Sequence, residues 1–138
     1  MGFECELAYK ASSFLSGGIA GTGSLCGALS GGLMALGLKY GRANPRYGSI
    51  SDSSGPALKL FKWFEKEYGG TTCCDITGPR GLLDKEARAK FHVSEAHLKC
   101  FRISGDVAAK VVDIIATQGS RQVSLDEAIA ELHAQGLL

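Results

Sequence analysis

Charge of neither sign dominates this chain, since 15 Lys and Arg stand against 14 Asp and Glu for a formal net charge of +1. With no basic stripe and no aromatics interleaved with one, the electrostatic footprint of a nucleic-acid binder is missing. Also missing is an unbroken apolar run of about 18 residues, the length that spans a membrane. The uncharged stretch Ala11 to Leu38 comes nearest, but half of its positions are Gly, Ser or Thr. Glu4 and Glu6 stand where a signal sequence would carry basic residues, and Glu6 also occupies the Ser or Thr position of a myristoylation signal. A buried, closely packed helix is therefore expected in place of a membrane span. Neither an alternating strand pattern of useful length nor an internal repeat is present, whereas caps and helical periodicity recur. These absences leave an all-α fold, a compact bundle of about five to six helices.

At 138 residues, with 45% hydrophobic and 21% charged composition, the chain is long enough for one domain with a sizeable core. Its five cysteines are an odd number, and no signal peptide accompanies them. That combination argues against a secreted disulfide framework and for thiols kept reduced, bound to metal or cycled, in the cytoplasm.

A first helix is expected from about Phe3 to Phe14, followed by the loop Ser16-Gly17-Gly18-Ile19-Ala20-Gly21-Thr22-Gly23. The second helix, Ser24 to Tyr40, has Ser24 as its expected N-cap, which puts Cys26 in the first turn. Unpaired N–H groups and the macrodipole there favour an anionic sulfur and a lowered thiol pKa. Gly27, Gly31 and Gly32 each cost about 1 kcal/mol against Ala in a helix interior, so close packing must compensate. Gly27 and Gly31, four apart, share a face beside Cys26 where a neighbouring backbone can approach.

Residues 41–55 read as an exposed connector rich in Asn, Pro, Ser and Asp. Pro56 then opens a helix whose apolar stripe is Ala57, Phe61, Phe64 and Tyr68, with Gly69 as its stop. The turn-rich segment 70–79 delivers Cys73 and Cys74. A short helix over Leu82 to Phe91 precedes a long one capped by Ser94 and ending near Gly119, on which Cys100, Ser104, Val107, Val111 and Ile114 form the inward face. Ser124-Leu125-Asp126-Glu127 is a capping box that opens the last helix, structural or an oligomer contact.

Taken together, Ser16-Gly17-Gly18-Ile19, then Cys26-Gly27-Ala28-Leu29-Ser30-Gly31-Gly32, then Cys73 five residues before Gly78, and Cys100 on the final apolar helix, resemble a family described as redox-active and named for its pattern C, GCAxxG, C, C. The likeness covers roughly residues 7 to 116. It implies one domain over 1–138, with 119–138 a C-terminal helical extension. The family is similar to the cluster-bearing part of the split-Soret cytochromes, where cysteines are associated with an iron-sulfur centre. No Cys-x-x-Cys-His is present, so their haem part has no counterpart here.

Carried over residue by residue, the resemblance implicates Cys26, Cys73 and Cys100 as sulfurs of the site, with Cys5 or Cys74 as the fourth. Cys5 stands closer to Cys26 than the family's first cysteine does. Adjacent Cys73 and Cys74 cannot easily aim both sulfurs at one iron, because successive side chains diverge. The function implied is electron transfer or redox sensing through a cysteine-ligated iron-sulfur cluster, with a redox protein as partner and no defined catalytic reaction beyond a role as an oxidoreductase component. A homodimer is attractive because a second subunit could complete the ligands.

Two alternatives stand beside it. Cys26 could form a disulfide with Cys73 or Cys100 without any metal, or the chain could be a helical adaptor with incidental cysteines, the usual fate of free thiols being small core hydrophobes. Zinc is disfavoured because Cys-x-x-Cys spacing is absent. The glycine loop fails as a phosphate loop: no Lys follows and Cys26 falls where a third glycine is required. His92, His97 and His133 are scattered; His97, one turn before Cys100, could ligate or tune that sulfur, although such a histidine is more commonly a solvated surface residue.

Overall fold

The computed structural model describes residues 6–46, 48–78 and 82–138. Seven α-helices and one 3-10 turn make up their regular structure, with no strand beyond one isolated bridge among the described residues. None of these helices is long and apolar enough to cross a membrane. Helix α1 spans Glu6–Ser12 and continues as a 3-10 turn over Ser13–Leu15; the Phe3 to Cys5 portion of the expected first helix lies outside the described residues.

Helix α2, Gly27–Tyr40, is the centre of the molecule. It packs on α3 (Gly55–Tyr68) and α6 (Glu95–Gln118), and the three enclose Leu29, Leu36, Leu60, Phe64, Ile103, Val107 and Val111. Side chains such as Leu29, Leu60 and Phe64, at 0% exposure, each contribute about 1.5–3 kcal/mol on burial. The α2–α6 approach rests on Gly32: a Cβ there would come within 2.6 Å of Val107 Cγ1 and 2.9 Å of Leu60 Cδ2. Gly31 differs from its expected role, because no atom lies within 4 Å of the Cβ it lacks. Helical phase separates neighbouring residues by about 100°, so only one of the two can meet the partner helices. Gly32→Ala is accordingly expected to lose about 1–3 kcal/mol by overpacking, whereas Gly31→Ala should gain up to about 1 kcal/mol of helix propensity. Urea unfolding of the two variants measures this opposition of sign.

In α3, Pro56 sits in the first turn and Gly69 ends the helix at φ 74°. Its core face is Pro56, Leu60 and Phe64; Phe64 is buried as expected, while Pro56 and Leu60 take the places expected for Ala57 and Phe61, and Phe61, Trp63 and Tyr68 are only partly covered. The 41–55 connector is fastened rather than loose at its end: Gly55 N donates to Val123 O (3.1 Å) and Leu125 N donates to Ser51 O (2.7 Å). Helix α7, Leu125–Ala134, has the full capping box of Ser124 and Glu127. It lays Ala128 and Leu132 on α3, where Lys59 pairs with Glu131. Tyr40 closes the far end of α2 by donating from its hydroxyl to Gly119 O at 2.9 Å.

Two shorter helices complete the set. Helix α4 covers Cys73–Thr77 and α5 covers Lys85–His92. The turn expected around the paired cysteines is thus helical, because Thr72 and Asp75 form a reciprocal capping box: Asp75 N donates to Thr72 Oγ1 and Thr72 N to Asp75 Oδ2, both at 3.1 Å. Hydrogen bonding of the carboxylate by the Thr72 side chain first, and then by the Thr72 backbone N–H, holds the Asp75 carboxyl below its ordinary range. Asp84, not Leu82, opens α5 by accepting from Ala87 N.

Candidate functional site

The glycine-rich loop makes an unusual turn. Gly17, Gly18, Ile19, Ala20 and Gly21 follow one another with φ of 65°, 69°, 61°, 53° and 80°, a left-handed run containing two residues with side chains. Such conformations cost roughly 1–2 kcal/mol for each non-glycine residue, and they persist only where surroundings enforce them. Here the enforcement is hydrogen bonding: Ala20 N donates to Phe14 O (2.7 Å), Gly23 N to Gly17 O (3.0 Å), and Ser24 N to Gly18 O (2.9 Å). The Thr22 hydroxyl adds a bond to Gly18 O at 2.6 Å.

The turn delivers the chain into a bridge between Leu25 and Thr72. Cys26 N donates to Thr71 O (2.9 Å), Cys73 N to Ser24 O (2.7 Å), and Cys74 N to Gly23 O (3.1 Å). This pairing takes Ser24 and Leu25 out of the helix, so Cys26, at φ −58° and ψ 129°, is itself the N-cap residue of α2. The expected N-cap at Ser24 is corrected by two positions. Cys26 remains beside the orphan N–H groups of that turn, while its carbonyl accepts from Ser30 N (2.9 Å). Gly27 is required here, since a Cβ on it would strike the Leu15 carbonyl.

Cys73 opens α4 and is buried at 8% exposure. Its sulfur is 3.6 Å from Thr77 Oγ1, and the Thr77 hydroxyl donates to the Cys73 carbonyl at 2.7 Å. Because that hydroxyl hydrogen is already committed, the Cys73 thiol is the donor toward Thr77 Oγ1. Lys99 reaches across from α6 to donate to Ile76 O (3.2 Å), tying α4 to the helix that carries Cys100.

Cys26, Cys73 and Cys100 line a single open cavity of about 460 Å³, bordered by the loop, α2, α4, α5 and α6. All three are free thiols. Cys74 is half-buried and does not line it, as diverging neighbours require; Cys5 lies outside the described residues. Gly31 faces this space, which is why nothing contacts it. Cys100 is half-buried and Ser104 exposed, at the edge of the α6 core face and not within it; the buried seam is Ile103, Val107, Val111 and Ile114.

Burial, reinforced by Cys73 and Cys26 and weakly opposed by Lys99, pushes the Cys100 thiol above its ordinary value of 9.0. A raised folded-state pKa means that the folded chain keeps this proton longer than the unfolded one. Its contribution to stability is whole below the ordinary value and lost as pH rises through the folded one. For the metal-free protein, iodoacetamide labelling resolved by peptide mass spectrometry should show Cys100 reacting only at higher pH than a free cysteine peptide. A Cys100 rate profile matching the peptide would contradict the buried placement.

Two histidines that the sequence left scattered also line the cavity, His92 at the end of α5 and His97 in the first turn of α6. The sequence signal was the spacing His92, His97, Cys100 across the tight Val93-Ser94 turn, which returns the chain toward itself. Among the described residues, no three His, Cys, Asp or Glu side chains form a group ready to hold one metal ion.

A bundle of helices that turns three thiols toward one cavity has the chemistry of a redox protein. The chain belongs to the family described as "Putative redox-active protein (C_GCAxxG_C_C)", whose sequence model matches residues 1–114 and so takes in every cysteine. No curated protein and no solved structure matches it.

Proposed function

We propose that the protein carries or senses electrons through an iron-sulfur cluster held at this cavity by Cys26, Cys73 and Cys100, as a soluble cytoplasmic protein serving a redox partner. The observation that carries this reading is the meeting of three cysteines from three separate segments at one space. Their donor chemistry fits, since thiolates are the ligands of such clusters. A zinc ion is a poorer fit: it draws its sulfurs to about 2.3 Å from one point, and no ready three-donor group exists among the described residues.

When bound, such a group supplies reversible one-electron storage. The chain's own residues define its setting. Cys26 stands at the N-cap of α2, beside the unpaired N–H groups of its first turn. Leu15, Leu82, Phe91 and Phe101 contribute apolar wall beside the sulfurs, and the capping box of Thr72 and Asp75 holds the helix that carries Cys73. Cys100, whose thiol resists ionisation, gives up its proton on ligation, so loading releases protons and is favoured by rising pH. Residues 1–138 act as one domain in this reading, with 119–138 an extension that braces α3.

Anaerobic purification followed by absorption spectroscopy and by iron and sulfide assay tests the proposal. Brown protein containing iron and labile sulfide is expected. Colourless, iron-free protein that also refuses reconstitution rejects the cluster. A second reading is then favoured by the 25–72 bridge, which holds the Cys26 and Cys73 backbones side by side. In it, the two thiols lose two protons and two electrons to a partner oxidant and form a disulfide, detected as a Cys26–Cys73 peptide after mild oxidation. Failure of both leaves the helical adaptor.

A further inference from the structure

Sulfur is not the only donor at the cavity. The His97 ring stands edge-to-face with His92, centroids 5.1 Å apart, and is flanked by Phe91 at 5.3 Å and Phe101 at 4.8 Å. Its Nδ1 lies 3.2 Å from the His92 carbonyl oxygen. A carbonyl can only accept, so the proton of the neutral ring resides on Nδ1 and Nε2 keeps its lone pair. Histidines that bind metals characteristically donate their other ring N–H to a backbone carbonyl or carboxylate in this way, which fixes tautomer and orientation. His97 is half-buried, its ring is clasped by aromatic side chains, and it shares the cavity with three cysteines while Cys74 does not.

We propose that His97 is a nitrogen ligand of the centre, through Nε2, alongside Cys26, Cys73 and Cys100. This rests on the cluster reading above and specifies its ligand set. His92 acts as a positioning residue through its backbone carbonyl, so its side chain is dispensable for ligation. Replacing a thiolate by a neutral imidazole removes one negative charge from the ligands and raises the reduction potential relative to an all-cysteine site.

The test uses the full chain, labelled with ¹⁵N only at histidine and reconstituted anaerobically with ferrous iron and sulfide. Pulsed electron paramagnetic resonance of the reduced protein should show a directly bound ¹⁵N. His97→Ala should lose that coupling, His92→Ala should keep it, and His97→Cys should load iron with a lowered reduction potential. Circular dichroism monitors folding, and if His97→Ala is unfolded, His97→Gln and His97→Cys carry the comparison. Iron-loaded protein without nitrogen coupling, or coupling that survives in His97→Ala, overturns the histidine ligand and leaves the cluster standing. Wild-type protein that takes up no iron overturns both.

Discussion

Cys73→Ala is expected to leave the protein folded but unable to retain iron. Cys73 is the innermost of the cavity cysteines, at 8% exposure. Its backbone N–H is anchored to Ser24 O at 2.7 Å, and its sulfur is oriented by Thr77. Losing an outer residue that merely orients a ligand costs about 10–100-fold in metal affinity, so loss of the ligand itself should exceed that range. The protein content of iron after anaerobic desalting is the measurement. The fold should survive, because removing one sulfur from the wall of an existing cavity strips little packed contact; a cost of about 1 kcal/mol is expected, the typical size for a point substitution. Cys74→Ala, one residue on, is the control and should retain iron. If Cys74→Ala loses iron and Cys73→Ala keeps it, the assignment of sulfurs to the cavity is wrong.

Gly18→Ala is expected to be strongly destabilising. Two independent penalties apply. The position requires φ of 69°, which costs an L-residue roughly 1–2 kcal/mol, and the new Cβ would lie 2.6 Å from both Cys73 Cβ and Ser24 O. Ser24 O is backbone and already accepts from Cys73 N, so it cannot yield without releasing the bridge that carries Cys26 and Cys73. With overpacking adding about 1–3 kcal/mol, a total near 3 kcal/mol is expected, seen as a fall in the urea midpoint at unchanged slope. Iron retention should fall with it, since the displaced parts are the two segments that bring thiols together. Ala20→Gly in the same turn, at φ 53°, should instead stabilise by relieving strain. A Gly18→Ala variant as stable as the parent would show that the left-handed turn is not held as described.

Much of the architecture was legible along the chain. Pro56, Gly69 and Gly119 mark helix ends by local backbone chemistry that needs no partner, and the Ser124 capping box is complete within four residues. Thr72 and Asp75 carried the same kind of signal, but five helical residues between glycines offer too little apolar periodicity to identify a helix. Ser24 illustrates the opposite failure. It is a competent N-cap by type, yet the Leu25–Thr72 bridge claims its neighbourhood and the helix starts three residues later. The left-handed run from Gly17 to Gly21 could not be foreseen, because Ile19 and Ala20 disfavour it and only bonds to Phe14, Ser16 and the 23–24 backbone impose it.

By itself the sequence determined an all-α protein, the positions of most helix ends, a glycine-bearing helix destined for close packing, and membership in a redox-active family, because periodicity, caps and a cysteine-headed motif are local properties. Tertiary structure alone decided that Gly32 and not Gly31 meets α6, that Cys100 sits at the rim of the core face, that Cys26, Cys73 and Cys100 share a cavity which Cys74 does not reach, and that His97 lines the same cavity. The physical reason is that helical phase and loop path are fixed by groups far away in sequence. A residue's type states what chemistry it can do, and only its neighbours in space settle where that chemistry is directed.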